Sequence, residues 1–165
     1  MFEAQEALFS HAAMGELIET VISRGAKFRL TVKGCSMAPF IKDRDVVTVS
    51  ALPGGKFYGF GKNVAFFYPG KKMLGIHRII GRQGDRYLIK GDNSRQPDGL
   101  IPKENILGYV TKVQRNNKNV LLGLGPERFM IAFLSRLGLL RYFFWLARLI
   151  RSSAGRSPLC RQAAF

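Results

Sequence analysis

"KFRLTVKGCSMAPFIKDRDVVTVS", residues 27–50, is the stretch on which the fold class turns. In its first seven residues Phe28, Leu30 and Val32 alternate with Lys27, Arg29, Thr31 and Lys33. A period of two is that of a strand with one buried face. Its last six residues, "DVVTVS" (45–50), are rich in β-branched side chains and read the same way. Between them come Gly34, Cys35, Ser36, Met37 and Pro39, then a charged turn. The stretch is therefore strand, turn, strand, with a serine in the turn.

The same signature recurs outward from it, in "NVAFFY" (63–68), "GIHRII" (75–80), "RYLIK" (86–90), "ILGYVTKV" (106–113) and "NVLLGL" (119–124), with turn signals such as "YPGKK" and "GRQGD" between. No strand–helix–strand rhythm and no internal repeat interrupts it. At both ends the period becomes helical. Residues 1–25 read as an amphipathic helix ending near Gly25, without the basic start and long apolar core of a secretory signal. His11 on that helix reads as structural or solvated. The expectation is a mainly β fold with an N-terminal helix (1–25), a β-rich domain (26–125), a C-terminal basic amphipathic helix (126–151) and a flexible tail (152–165).

A chain of 165 residues that is 47% hydrophobic can bury one sizeable core. The two cysteines, Cys35 and Cys160, lie far apart, so no disulfide framework or CxxC metal pair is read, no metal or other cofactor is expected, and the compartment leans reducing. The net charge of +15 is uneven. Four acids against Arg24 leave the first 25 residues at −3, while 18 Lys and Arg against 6 acids put residues 26–125 at +12, and 7 Arg against Glu127 put the remainder at +6. Such a field attracts nucleic acid, anionic lipid or acidic peptide. The middle region shows no recognition helix and no RNA-binding motif, so nucleic acid is not expected as a partner.

At 100° per residue Arg136, Arg141, Arg148 and Arg151 share one sector of the C-terminal helix, opposite Phe, Leu, Ile and Trp. Burying arginines mid-membrane costs about 2.5–3.5 kcal/mol each on translocon scales. Lying in the interface avoids that cost. Arg136, Arg141 and Arg148 are then expected at anionic headgroups with Trp145 in the acyl boundary; the alternative is a helix packed on the β domain.

A serine hydroxyl attacks only with a base in hydrogen-bond reach and donors for the oxyanion that forms. Besides His11, the chain offers His77, inside the strand "GIHRII". Residues 90–99, "KGDNSRQPDG", supply carboxylates at Asp92 and Asp98 on a turn. Each of these alone is ordinary.

In order and at this spacing they resemble the signal peptidase family, whose β-rich fold is shared with self-cleaving repressor proteases. "GCSMAPFIKDRDVV" is similar to its nucleophile box, "IHRII" to the general-base box of the archaeal and endoplasmic-reticulum branch, which carries histidine where the bacterial enzymes and repressors carry lysine, and "KGDNSRQPDG" to that branch's acid box. The resemblance spans residues 28–112 and implies Ser36 as nucleophile, His77 as general base and Asp98 as the carboxylate that orients it. It further implies Cys35 and Asp92 as oxyanion or supporting residues, with the oxyanion donors being backbone amides near Cys35 and Ser36, and Met37 and Pro39 as substrate contacts. Cys35 itself sits one residue off the nucleophile position. Arg44 stands where the family has the glycine of a Gly-Asp turn, which puts the shape of that turn in question.

The leading expectation is a serine endopeptidase that cuts an extended leader or precursor peptide, cytoplasmic and peripheral to a membrane. Two alternatives stand beside it, a self-processing repressor-type protease and a non-catalytic module of the same fold that binds anionic lipid or nucleic acid. Oligomeric state is not legible.

Overall fold

Alternating side chains need a second layer to hide their apolar face, and a bent antiparallel sheet supplies it. A computed structural model of the chain describes residues 18, 20–21, 25–51, 58–71, 73–140 and 142–143. The strands are β1 (Phe28–Thr31), β2 (Val46–Ser50), β3 (Asn63–Phe67), β4 (Leu74–Gln83), β5 (Arg86–Lys90), β6 (Gly99–Pro102), β7 (Ile106–Arg115) and β8 (Lys118–Val120). They form one sheet in the order β1-β2-β7-β3-β4-β5-β6, with β8 added to β7. Every pairing is antiparallel. The mainly β expectation holds.

Register shifts at Thr48/Val49, Ala65/Phe66 and Ile79/Gly81 bend the strands. Two cores result. Met37, Ile41, Val47, Val49, Ala65, Ile76, Val110 and Val113 fill one, while Val64, Phe66, Ile79, Tyr87, Ile89, Ile101 and Ile106 fill the other with Tyr58. Val64 and Ala65 alternate between the two, as a period of two requires. β6 was not expected, because "GLIP" is short and ends in proline. β8 stops earlier than "NVLLGL" suggests: the chain turns at Leu121, whose carbonyl accepts the Leu124 N–H at 3.1 Å.

Arg44 keeps the left-handed backbone that glycine would take, at φ 66°. The turn is held nonetheless, by the Arg44 N–H on the Val32 carbonyl at 2.9 Å and by buried Asp45, which accepts the Lys42 N–H at 2.8 Å. Arg115 adds two further bonds to the Asp45 carboxylate, at 2.9 and 2.7 Å.

The C-terminal helix expected over 126–151 is interrupted. α1 runs Arg128–Arg136 and closes with the Gly138 N–H on the Ser135 carbonyl and the Leu139 N–H on the Leu134 carbonyl, Gly138 taking φ 72°. This is the paired-bond stop that glycine favours. Helical backbone resumes at Leu140, so the single arginine sector drawn for a continuous helix does not carry across Gly138. Arg136 is exposed, and one of its guanidinium N–H groups donates to the Ile80 carbonyl at 3.2 Å. Arg141, Trp145 and Arg148 lie outside the described residues, as do the tail (152–165), His11 and nearly all of the expected N-terminal helix. Among the described residues no helix is long and apolar enough to cross a membrane.

One side of α1 packs on the sheet. Ile131 and Leu140 bury against Phe40, and the buried Lys90 ammonium donates to the Ser135 carbonyl at 3.0 Å. Truncation after Pro126 is therefore expected to destabilise the domain. Losing the burial of Ile131 and Leu140 costs at least about 3 kcal/mol, a fall in Tm of roughly 6–12 °C. Thermal denaturation of the truncated and full chains tests this, and an unchanged transition would show the helix to be dispensable.

Candidate active site

Ser36 lies half-buried in the turn that follows β1, His77 points from the middle of β4, and Asp98 immediately precedes β6. The bend of the sheet brings all three together. His77 Nε2 is 2.8 Å from Ser36 Oγ, and His77 Nδ1 is 2.6 Å from Asp98 Oδ2. An ionised carboxylate only accepts, so Asp98 selects the tautomer that carries its proton on Nδ1. Nε2 is then left to accept the serine hydroxyl. The imidazole rests 6.0 Å from the Phe66 ring and is 7% exposed, which shields this relay from water.

Tyr68 completes the acid's surroundings, a residue the sequence reading passed over as the end of a strand. Its hydroxyl donates to Asp98 Oδ1 at 2.9 Å. Burial, then the Asp98 charge and the hydrogen bond to it, raise the phenol's pKa, so it remains a donor. With both oxygens engaged, Asp98 cannot rotate freely. The available signal was spacing, since Tyr68 follows Phe66 by two and shares its face.

The turn that carries Ser36 is clamped to the loop that carries Asp98. The Asn93 N–H donates to the Ser36 carbonyl at 2.7 Å, and the Asn93 side-chain amide donates to the Cys35 carbonyl at 3.2 Å. Gly91 permits the approach: a Cβ there would sit 2.8 Å from the Ser36 carbonyl oxygen and 3.0 Å from His77 Nε2. Any side chain at this position would push serine and histidine apart.

Asp92 touches neither Ser36 nor His77. Its carboxylate binds the Arg78 guanidinium in a fork, 2.8 Å from Nε and 2.7 Å from Nη2, both side chains fully buried. Arg78 Nη1 also donates to the Gly61 and Gly123 carbonyls, and its guanidinium lies 5.6 Å from the centre of the Phe40 ring. Asp92 is thus a support acting through backbone geometry.

Met37 is corrected as a substrate contact. It is 2% exposed and belongs to the core beside Ile41 and Val47, because the turn directs it inward. Pro39 is exposed. Cys35 is disulfide-bonded and carries no free thiol, which removes it as a rival nucleophile. Cys160 lies outside the described residues.

Residues 4–111 match the family described as peptidase S24-like, a span that contains Ser36, His77 and Asp98. The chain belongs to the peptidase S24-like family. It thereby joins the serine-protease fold superfamily that includes signal peptidases and self-cleaving repressors. No curated protein matches it significantly. The match ends inside β7, so β8 and α1 lie beyond the matched span.

Removing one partner of a buried ion pair strands the other charge, at a cost of about 3–5 kcal/mol. Asp92→Ala is expected to lose stability on that scale in urea denaturation, whereas an exposed-acid control such as Asp85→Ala should stay within about 0.5 kcal/mol. Equal, small effects would show that Arg78 finds another acceptor.

Proposed function

We propose that this S24-like protein is a serine endopeptidase in which Ser36 attacks, His77 relays the proton and Asp98 orients the imidazole. The observation that carries this reading is the unbroken line of hydrogen bonds from Ser36 Oγ through His77 to Asp98. As Oγ adds to the scissile carbonyl, Nε2 takes its proton. The carboxylate stabilises the resulting imidazolium, which then protonates the leaving amine. Water repeats the cycle on the acyl-enzyme. Backbone N–H groups around Cys35 and Ser36 are the proposed donors to the oxyanion, in the manner of other acyl-transfer sites. Lysine plays no part as base in this scheme: Lys71 is exposed on the β3–β4 turn, and Lys90 is bonded to Ser135.

The substrate is proposed to bind as an extended strand. β1 is an edge strand of the sheet and runs into Gly34, two residues from Ser36. A peptide paired with that edge gains main-chain hydrogen bonds while its scissile bond approaches the serine. A fluorophosphonate probe should label Ser36, and Ser36→Ala and His77→Ala should abolish labelling and peptide cleavage. Asp98→Asn should lower turnover by roughly 10³–10⁴ while the fold persists. Full activity in His77→Ala overturns the scheme, and silence of the folded parent towards the probe favours a binding module. Family membership also supports a self-processing reading; cleavage of the chain itself, at a rate independent of concentration, would select it.

We infer in addition that the peptidase works at a membrane surface. Phe129, Met130, Phe133 and Leu137 on the outer side of α1 are 49–62% exposed, and Leu121 and Leu122 on the loop before it are exposed as well. An apolar patch of this kind on a chain of net charge +15 fits an anionic bilayer. Sedimentation with vesicles containing anionic lipid should bring the protein down, and Phe129→Ser with Phe133→Ser should release it. Vesicle binding that ignores these two phenylalanines would show that the patch has another occupant.

A further inference from the structure

β7 leaves part of one edge uncovered. β3 pairs with it over Ile106–Tyr109 and β8 over Val113–Arg115, so residues 110–112 face a notch between the two. A pocket of about 260 Å³ occupies this notch, with Lys62, Asn63, Tyr109, Thr111 and Arg128 as its polar lining. Asn63 is 2% exposed, and neither its amide nitrogen nor its carbonyl oxygen has a hydrogen-bond partner among the described residues. Leaving such a group unpaired costs about 1–3 kcal/mol. Arg128 Nε is buried and unpartnered too.

Two cations converge here, with no acid among the described lining residues. Lys62 Nζ lies 4.1 Å from the centre of the Tyr109 ring, and Arg128 uses Nη1 on the Leu124 carbonyl at 3.1 Å. The single carboxylate on the 121–128 loop, Glu127, is turned to the Gly123 and Gly125 N–H groups, at 2.7 and 3.0 Å. Burial first, and the Arg128 charge second, lower the Lys62 pKa, the mark of like charges held together. The volume is below the about 300–1,000 Å³ of sites for drug-sized ligands, so the occupant is small.

We propose that this notch is a phosphate-binding site, in which Lys62 and Arg128 balance a dianion and the Asn63 amide donates to one of its oxygens. A phosphate group answers three of these features together: it neutralises the paired cations, engages the Arg128 Nε–H and satisfies the buried Asn63 amide donor. The site shares no residue with the Ser36–His77–Asp98 line and does not rest on the catalytic reading. The phosphate is free in solution or is the headgroup of a lipid beneath α1, whose first residue is Arg128.

Inorganic phosphate, added at constant ionic strength against chloride, should raise the Tm of the full chain by roughly 3–6 °C at ten times Kd. It should also shift the Asn63 side-chain amide signals in the NMR spectrum of the unmutated protein. The gain should vanish in Lys62→Gln and in Arg128→Gln. Asn63→Leu should match or exceed the parent's stability without phosphate and lose the response to it. Vesicles carrying a phosphomonoester headgroup separate the sources: binding that free phosphate competes away and Lys62→Gln weakens assigns the lipid, and indifference to both assigns the soluble ion. No phosphate-specific gain in the parent, or a gain that survives both cation substitutions, overturns the proposal.

Discussion

Arg78 and Asp92 form a fully buried, forked ion pair around which the molecule is arranged. Dehydrating two charges is costly, and the interior returns that energy only if every remaining donor finds an acceptor. Arg78 goes most of the way, its Nη1 reaching the Gly61 and Gly123 carbonyls, which draws the loop before β3 and the segment after β8 onto β4. Four stretches distant in sequence are thereby held at one guanidinium. A neutral core could match the stability, but it would not fix their mutual positions as a planar five-donor fork does.

The site inherits its geometry from this arrangement. His77 adjoins Arg78, and Asp92 stands between Gly91, which grazes the imidazole, and Asn93, which holds the carbonyls of Ser36 and Cys35. The ion pair acts on Ser36 and His77 from behind, through backbone alone. Asp98 is set by other means, its N–H on the Ile89 carbonyl at 2.8 Å and its carboxylate shared between His77 and Tyr68. Proton relay needs such preorganisation, since small misplacements of reacting groups are expensive in rate.

Most of the strands were legible, because Phe28, Leu30 and Val32, or Val47 and Val49, repeat at the period of a sheet and are surrounded by turn residues. Ser36, His77 and Asp98 could be named because three short boxes stand in one order. What escaped depends on contacts that no local pattern encodes. Arg78 follows His77 as an unremarked charge until Asp92 is found 14 residues away at hydrogen-bond distance. Tyr68 reads as strand, and Met37 reads as a motif residue although it fills the core. Gly138 did carry a local signal for stopping α1, which the helical period on either side outweighed. The two apolar faces of α1 average into one broad face on a helical wheel, which cannot say which half meets the sheet.

The uneven charge acquires a structural cause. Among the chain's acids, Asp92 and Asp45 are taken by Arg78 and Arg115, Asp98 by His77 and Tyr68, Glu127 by the Gly123 and Gly125 amides, and Asp43 by the Gly34 N–H at 2.8 Å. These carboxylates hold turns and the His77 ring in place, so few of the described ones lie free beside surface lysines and arginines. The chain's net charge of +15 is thereby presented as an outward-facing positive field. Such a field concentrates anions nearby and weakens with salt beyond ~8 Å at physiological ionic strength. An anionic bilayer beneath α1 and a dianion between Lys62 and Arg128 would both answer this one imbalance, at two different ranges.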